Sequence, residues 1–316
     1  MRMTTGNWWA AALRESVNSE KPLAVVCNGE ALVLFRNEGG ELCALEDRCP
    51  HRRVPLALGT VTPKGLQCGY HGWTFNGTTG MCTTIPNLRE DERVPSRYGA
   101  RAYRVAESHG FVHVWLGEGS PDDAPLPGTD YQPRGSEFSG AAVANIAHDE
   151  YLAAMLDGPE CLLEFGSVRM TDFFLGDPRL EAGRLVVDRG AVWRTRMLPP
   201  AFVIDHPLIV RTAVPLEGGT IRVDLLDADE APLVSVSIAS SANRRGTTSL
   251  CWRGFRHDTR VAGTPLRWHL ARARARAPFR IHSMIDGAAL AALLVAPSRD
   301  LAAARAARCA PLSEAA

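Results

Sequence analysis

The chain has no excess of either charge: Lys and Arg together number 35, and so do Asp and Glu. Balanced charge leaves no long-range field to draw the chain to nucleic acid or to an acidic membrane surface, and neither is expected as a partner. Long apolar runs are missing too. The longest, Ala288 to Ala296, is too short to span a bilayer. Met1 to Trp9 lacks the apolar stretch of a secretory signal, so a cytoplasmic location is expected. There is no internal repeat, and 316 residues suffice for two modest domains or one large one.

Two short cysteine- and histidine-bearing segments stand out. Cys49-Pro50-His51 and Cys68-Gly69-Tyr70-His71 read C-x-H and C-x-x-H, with residues 52–67 between them. Two thiolates and two imidazoles are the ligand set of a Rieske [2Fe–2S] centre, in which the cysteines hold one iron and the histidines the other. Neutral imidazole leaves the reduced cluster less negative, which raises its potential above that of an all-cysteine cluster. A Cys2His2 zinc site uses the same residue types, but zinc motifs more often open with paired cysteines and close with paired histidines. Gly59, Gly69, Gly72 and Gly77-Thr78-Thr79-Gly80 supply tight loops that can turn backbone N–H groups toward sulfur. Cys27, Cys43, Cys82, Cys161, Cys251 and Cys309 are scattered and read as buried free thiols in a reducing compartment.

The chain begins with short β-rich runs at 22–27, 31–36, 41–45 and 110–116, punctuated by Asn28-Gly29-Glu30 and Asn37-Glu38-Gly39-Gly40. Gly117 to Gly135 is rich in Gly, Pro and Asp and reads as a linker. A helix is expected near 145–157, β-like runs near 160–175, 184–197, 208–214, 220–227 and 232–240, and two helices near 284–295 and 299–309. Strands followed by helices indicate an α+β fold. The expected organisation is a domain over 1–120, a linker over 121–135 and a second domain over 136–316.

Asn7-Trp8-Trp9, Leu34-Phe35-Arg36, the two ligand segments with their flanks, Gly80 to Pro86 and His109 to Trp115 resemble the Rieske-type non-haem iron oxygenases. The vanillate O-demethylase-like subgroup is the nearest in pattern. The resemblance is dense over 7–118 and thin afterward. It implies an all-β Rieske domain followed by a helix-grip (StAR-related-like) α+β domain holding a mononuclear Fe(II). It also implies a head-to-tail trimer, a reductase or ferredoxin as electron donor, and O₂-dependent hydroxylation or demethylation of a small aromatic or heteroaromatic substrate. His71 becomes the candidate for electron exit to a neighbouring subunit.

The second metal site departs from the family pattern, which runs N-x-x-D-x-x-H-x4-H on a helix with a carboxylate ligand near the C-terminus. A 2-His-1-carboxylate set leaves positions open for O₂. Aligned on His148 as first ligand, the pattern places Asn145 at the bridging Asp, Ala142 at the Asn and Ala153 at the second His. Asp286 takes the carboxylate position, although Ser283 and Asp286 also form a capping-box-like S-x-x-D pair. Ala153 has no donor atom, and an uncharged Asn145 loses a supporting interaction that is typically worth ~10–100-fold in affinity or activity. Asp149, Glu150, Asp157, His206 or His282 can supply a replacement ligand. Two readings follow: an oxygenase component with an unorthodox iron site, or a pseudo-oxygenase that relays electrons to, or supports, a homologous partner in a mixed trimer. Restoring Asp at 145 and His at 153 is expected to raise iron binding if the alignment is right.

Overall fold

The computed structural model describes residues 6–89, 92–121, 126, 135–166, 168–194, 207–257, 279–286, 290, 301–303 and 305–306. The chain divides into two compact units: Met1–Thr129 with Ser241–Arg244, and Asp130–Ser240 with Arg245–Ala316.

The first unit is built from β1 (Asn7–Leu13), β2 (Leu23–Cys27), β3 (Glu30–Arg36), β4 (Leu42–Glu46), β5 (Thr60–Thr62), β6 (Gly65–Gln67), β7 (Thr74–Phe75), β8 (Cys82–Thr84), β9 (Ala102–Tyr103), β10 (Val105–Ser108) and β11 (Phe111–Leu116). They pair as three antiparallel sheets, ordered β1-β11-β10, β2-β3-β4-β9 and β5-β6-β7-β8. The Asn28-Gly29 pair between β2 and β3 closes a two-residue hairpin, Cys27 opposite Glu30. Both residues have positive φ, 49° and 83°, as the turn twist that suits paired strands demands. The unbroken apolar run of β3 has a clear cause. Val33 and Phe35 face one core, with Leu45, Leu66 and Phe75, while Leu32 and Leu34 face another, with Val112 and Val114.

The second unit contains β12 (Gly135–Ala144), α1 (His148–Asp157), β13 (Leu163–Phe165), β14 (Val168–Leu175), β15 (Arg179–Glu181), β16 (Arg184–Trp193), β17 (Leu208–Pro215), β18 (Thr220–Leu226), β19 (Pro232–Ala242), β20 (Thr248–His257) and β21 (Phe279–Ile281). Its sheet runs β12-β20-β19-β18-β17-β16-β14, with β15 on β16 and a separate β13–β21 pair. The pairings are antiparallel, so the α+β expectation holds. Tyr151, Leu152, Met155 and Leu156 of α1 join Val187, Val210, Val223 and Val236 of the sheet in one core. The Arg189 guanidinium donates to the Leu156 and Asp157 carbonyls at 3.3 and 2.6 Å, capping backbone acceptors that the helix end leaves open.

Several expectations need correction. The helix starts at His148, not 145, and residues 142–144 are strand. Both β12 and β20 were missed. In β12, Gly-Ser-Glu-Phe-Ser-Gly-Ala-Ala-Val-Ala has one β-branched residue, so propensity is silent there. The strand forms because ten of its residues pair with β20. Gly140 lies under the Trp252 ring and Gly254 under the Phe138 ring, where a Cβ would collide. These two glycine–aromatic pairs, directly opposite in register, turn residues of low strand propensity into packing surface. Most of the expected 284–295 and 299–309 helices lies outside the described residues. Leu290 and 301–303 are helical.

Candidate metal centre

The two ligand segments fold into loops of the same shape. In the first, the Cys49 N–H donates to the Val54 carbonyl at 2.9 Å and the Arg53 N–H returns to the Cys49 carbonyl at 2.8 Å. In the second, the Cys68 N–H donates to the Trp73 carbonyl at 2.8 Å and the Gly72 N–H returns to the Cys68 carbonyl at 3.0 Å. The fifth residue of each loop is left-handed, Arg53 at φ 60° and Gly72 at φ 71°. Glycine takes this conformation freely and arginine at some cost. The Asp47 Oδ1 accepts the Ala57 N–H at 2.7 Å and ties down the far side of the first loop. Gly59 and Gly69 run where a Cβ would strike the carbonyls of Gln67 and Leu58, which is why glycine stands at both.

The cysteines point inward and the histidines outward. Cys49 and Cys68 are each 2% exposed, with their thiols within hydrogen-bonding reach of each other. Burial pushes the Cys49 thiol up to about 11, Cys68 adds to the rise, and the His51 N–H works against it. A buried thiol with so high a pKa needs a bound cation to become thiolate. The His51 and His71 rings are exposed, with centroids 4.7 Å apart. Among the described residues, no three His, Cys, Asp or Glu side chains are placed to hold one metal ion. A Cys2His2 zinc site would bring all four ligands to one point. A two-iron cluster instead takes an inner pair of thiolates and an outer pair of imidazoles, and the arrangement here fits it.

An aromatic stack supports the outer pair. The Trp73 ring lies parallel to His51, 1° between planes and 4.7 Å between centroids. Tyr98 tilts onto Trp73 at 5.1 Å, and the Arg97 guanidinium sits 5.0 Å over the Tyr98 ring. Tyr70 packs on His71 at 3.9 Å. Sequence reading missed Trp73, Tyr98 and Arg97 as parts of the site. The repeated spacing, a residue five after each cysteine closing the loop, was the available signal for Trp73, and nothing local pointed to Arg97 or Tyr98.

The residues proposed for a mononuclear iron are engaged elsewhere. The His148 Nε2 lies 3.1 Å from the Ser240 hydroxyl. Burial drives its pKa down to about 4, with Asp149 and Ser240 opposing and Arg305 adding. Asn145 stands before the helix and clamps the chain at Ile285: its Oδ1 accepts the Ile285 N–H at 2.8 Å and its Nδ2 donates to the Ile285 carbonyl at 3.3 Å. Ala153 is half-buried on α1. Asp286 is exposed, and its charge, after burial and Glu160, helps raise the Cys161 thiol. Of the alternative ligands, His206 lies outside the described residues. Glu150 is exposed, and Asp149 pairs with Arg305 at 3.9 Å. The described residues do not form a 2-His-1-carboxylate site.

Residues 7–103 match the family model described as Rieske [2Fe-2S] domain. The putative toluene-4-sulfonate monooxygenase system iron-sulfur subunit of Comamonas testosteroni is 40% identical over 124 residues, 38% of this chain and 35% of the relative. The vanillate O-demethylase oxygenase subunit of a Pseudomonas species is 35% identical over 126 residues, 40% of this chain and 36% of the relative. The chain thus spans about a third of the length of these curated relatives. Dicamba monooxygenase bound to dicamba superposes with a TM-score of 0.64 at 19% identity, covering 98% of this chain and 92% of that one. NdmA of Pseudomonas putida with theobromine gives 0.54 at 18%, covering 85% and 78%. The chain carries a Rieske [2Fe–2S] domain homologous to those of Rieske oxygenases, and its fold is theirs. No helix among the described residues is long and apolar enough to cross a membrane.

Proposed function

We propose that this chain is the Rieske component of an oxygenase system, with Cys49 and Cys68 holding one iron and His51 and His71 the other. The observation that carries this reading is the pair of matched loops that buries both thiols side by side and leaves both imidazoles at the surface. When bound, the cluster supplies a store for one electron at a time. Cys49 and Cys68 keep their sulfurs from water and oxidant by burial. His51 and His71 present the outer edge to a partner, and Trp73 fixes the plane of His51 by stacking. A reductase or ferredoxin is the donor in this reading. The electrons serve O₂-dependent hydroxylation or demethylation of a small aromatic or heteroaromatic molecule.

One observation favours delivery of those electrons to a homologous subunit in a mixed trimer over use in this chain's own second unit. His148 and Asn145, the residues expected to hold or support a mononuclear iron, are committed to Ser240 and to the Ile285 backbone. Iron analysis on anaerobically purified protein tests both points. About two irons per chain with a Rieske-type electron paramagnetic resonance signal support the relay. About three irons after Fe(II) incubation and desalting overturn it in favour of a self-sufficient oxygenase, and no Rieske signal overturns the function itself.

A further inference from the structure

The first unit is completed by a segment from far along the chain. Ser241–Arg244 belongs to it, where β19 ends and the chain turns toward β20. This segment grips the first unit residue by residue. The Ser241 hydroxyl lies within hydrogen-bonding reach of the buried Cys27 sulfur, and the Ala242 carbonyl accepts the Gly29 N–H at 3.0 Å. The Asn243 Oδ1 accepts the Arg244 N–H at 2.6 Å and fixes the bend. Arg245 and Gly246 follow with left-handed backbones, φ 60° and 68°, which turn the chain back. The exposed Arg244 is thereby close enough to act electrostatically on the Asp47 carboxylate.

Asp47 is where that charge matters. Its N–H donates to the Ala31 carbonyl at 2.9 Å, and its Oδ1 accepts the Ala57 N–H at 2.7 Å. Ala57 lies in the helical turn Leu56–Leu58. Leu56 of that turn is fully buried in one core with Cys49 and Cys68, and the Leu58 carbonyl abuts Gly69 beside Cys68. One half-buried carboxylate thus sets the turn on which both ligand loops lean. An uncompensated negative charge two residues from Cys49 disfavours both the thiolates and an added electron, and a guanidinium beside it offsets that cost.

We propose that Arg244 is a positioning residue for the metal centre: it offsets the Asp47 charge and holds Asp47 on Ala57, so that a segment following β19 tunes the potential of the cluster held between Cys49 and His71. The inference rests on the Rieske reading above and gives a role to a residue outside the 7–103 match. Ser241 and Ala242 supply the grip that brings Arg244 into place, through Cys27 and Gly29.

The test compares full-length holoprotein chains by redox titration of the visible spectrum, with electron paramagnetic resonance to show that the cluster is whole and hydrogen exchange to read the loop. Arg244→Gln is expected to lower the equilibrium constant for reduction at least ~2-fold, the scale of an exposed ion pair, and to speed exchange over residues 47–58 by a similar factor. Arg244→Lys keeps the charge and should restore most of the potential. Arg245→Gln, the same loss at the next exposed residue, should leave the potential near that of the unaltered chain. In an Asp47→Asn background, which keeps an oxygen for Ala57 but has no charge to offset, Arg244→Gln should shift the potential much less. Equal shifts from Arg244→Gln and Arg245→Gln, no rescue by lysine, or additive effects of Asp47→Asn and Arg244→Gln each overturn the proposal. If Arg244→Gln loses its cluster, exchange decides: residues 47–58 no faster than in the unaltered apoprotein overturn it. Failure of the Rieske reading registers separately, as an unaltered chain without a Rieske resonance signal whose exchange over 47–58 still responds to Arg244→Gln.

Discussion

His113 is a buried imidazole that the metal chemistry leaves unused, and its environment fixes a measurable acid sensitivity. It lies in β11 opposite Ala10 on one side and Ala106 on the other, fully buried, with the Phe111 ring edge-on at 6.4 Å. Neither ring nitrogen completes a hydrogen bond. Burial lowers its pKa to about 4; the Phe111 backbone opposes the drop and His109 adds to it. A folded pKa below the unfolded one, ~6.5, means the unfolded chain takes up the proton first. His113 therefore costs the fold nothing through titration above about pH 6.5, and stability falls as pH drops from there toward about 4. Between about pH 7.5 and about pH 5 the linkage amounts to about 2 kcal/mol. Leucine is close in volume and does not titrate, so His113→Leu should remove that dependence. It also removes buried ring nitrogens that lack well-formed hydrogen bonds, and a polar atom stranded in a core costs ~1–3 kcal/mol. The assay is native-state hydrogen exchange on β11 peptides, which reads local opening without requiring two-state unfolding of a two-unit chain. The variant should be at least as stable at about pH 7.5 and lose about 2 kcal/mol less at about pH 5. Equal losses in both chains would refute the argument.

Other outcomes follow from the same structure. Cys68→Ala should abolish the cluster's visible absorbance, and retained colour would mean the ligands are misassigned. Trp73→Leu should shift the midpoint potential and resonance line shape by freeing His51, while Trp73→Phe, which keeps a stacking ring, should restore most of both; identical signals in the two variants would discount the stack. Asn145→Ala should destabilise the second unit by ~1–3 kcal/mol in urea titration, because it strands the N–H and C=O of Ile285. The pair Asn145→Asp and Ala153→His, expected from sequence to raise iron binding, should now fail to do so in a metal titration, since position 145 lies off the helix.

Legibility differed sharply between the two units. In the first, chemistry is concentrated in short loops, and residue type with spacing is sufficient to identify it. The strands at Leu23–Cys27, Glu30–Arg36, Leu42–Glu46 and Phe111–Leu116 also announce themselves through apolar, β-branched content. The doubled core around β3 explains why its run is continuous and not alternating. In the second unit, β16 alternates and is readable, but β12 depends on a partner more than a hundred residues away. Its glycines look like punctuation until Trp252 and Phe138 are laid over Gly140 and Gly254. The stack from His51 to Arg97 was hidden for the same reason, since Tyr98 reaches Trp73 only through tertiary folding.

The position of the strand end bears on the mononuclear site itself. Because β12 continues through Ala144, a pattern N-x-x-D-x-x-H-x4-H that opens a helix finds its Asn more naturally at Asn145 than at Ala142. That register sets His148 at the Asp position, Tyr151 at the first His and Leu156 at the second. Tyr151 and Leu156 are fully buried in the core between α1 and the sheet, and burial drives the Tyr151 hydroxyl far above its ordinary pKa, so it stays a neutral phenol and a poor ligand. Aligned on His148 instead, the pattern lacks a donor at Ala153. Both registers leave the helix without two histidines, and in the first both histidine positions are filled by core residues. Leu156 adds apolar contact there, whereas the Tyr151 hydroxyl is buried without a hydrogen-bond partner, which costs the fold ~1–3 kcal/mol. In either register α1 lacks the paired imidazoles that a 2-His-1-carboxylate site needs.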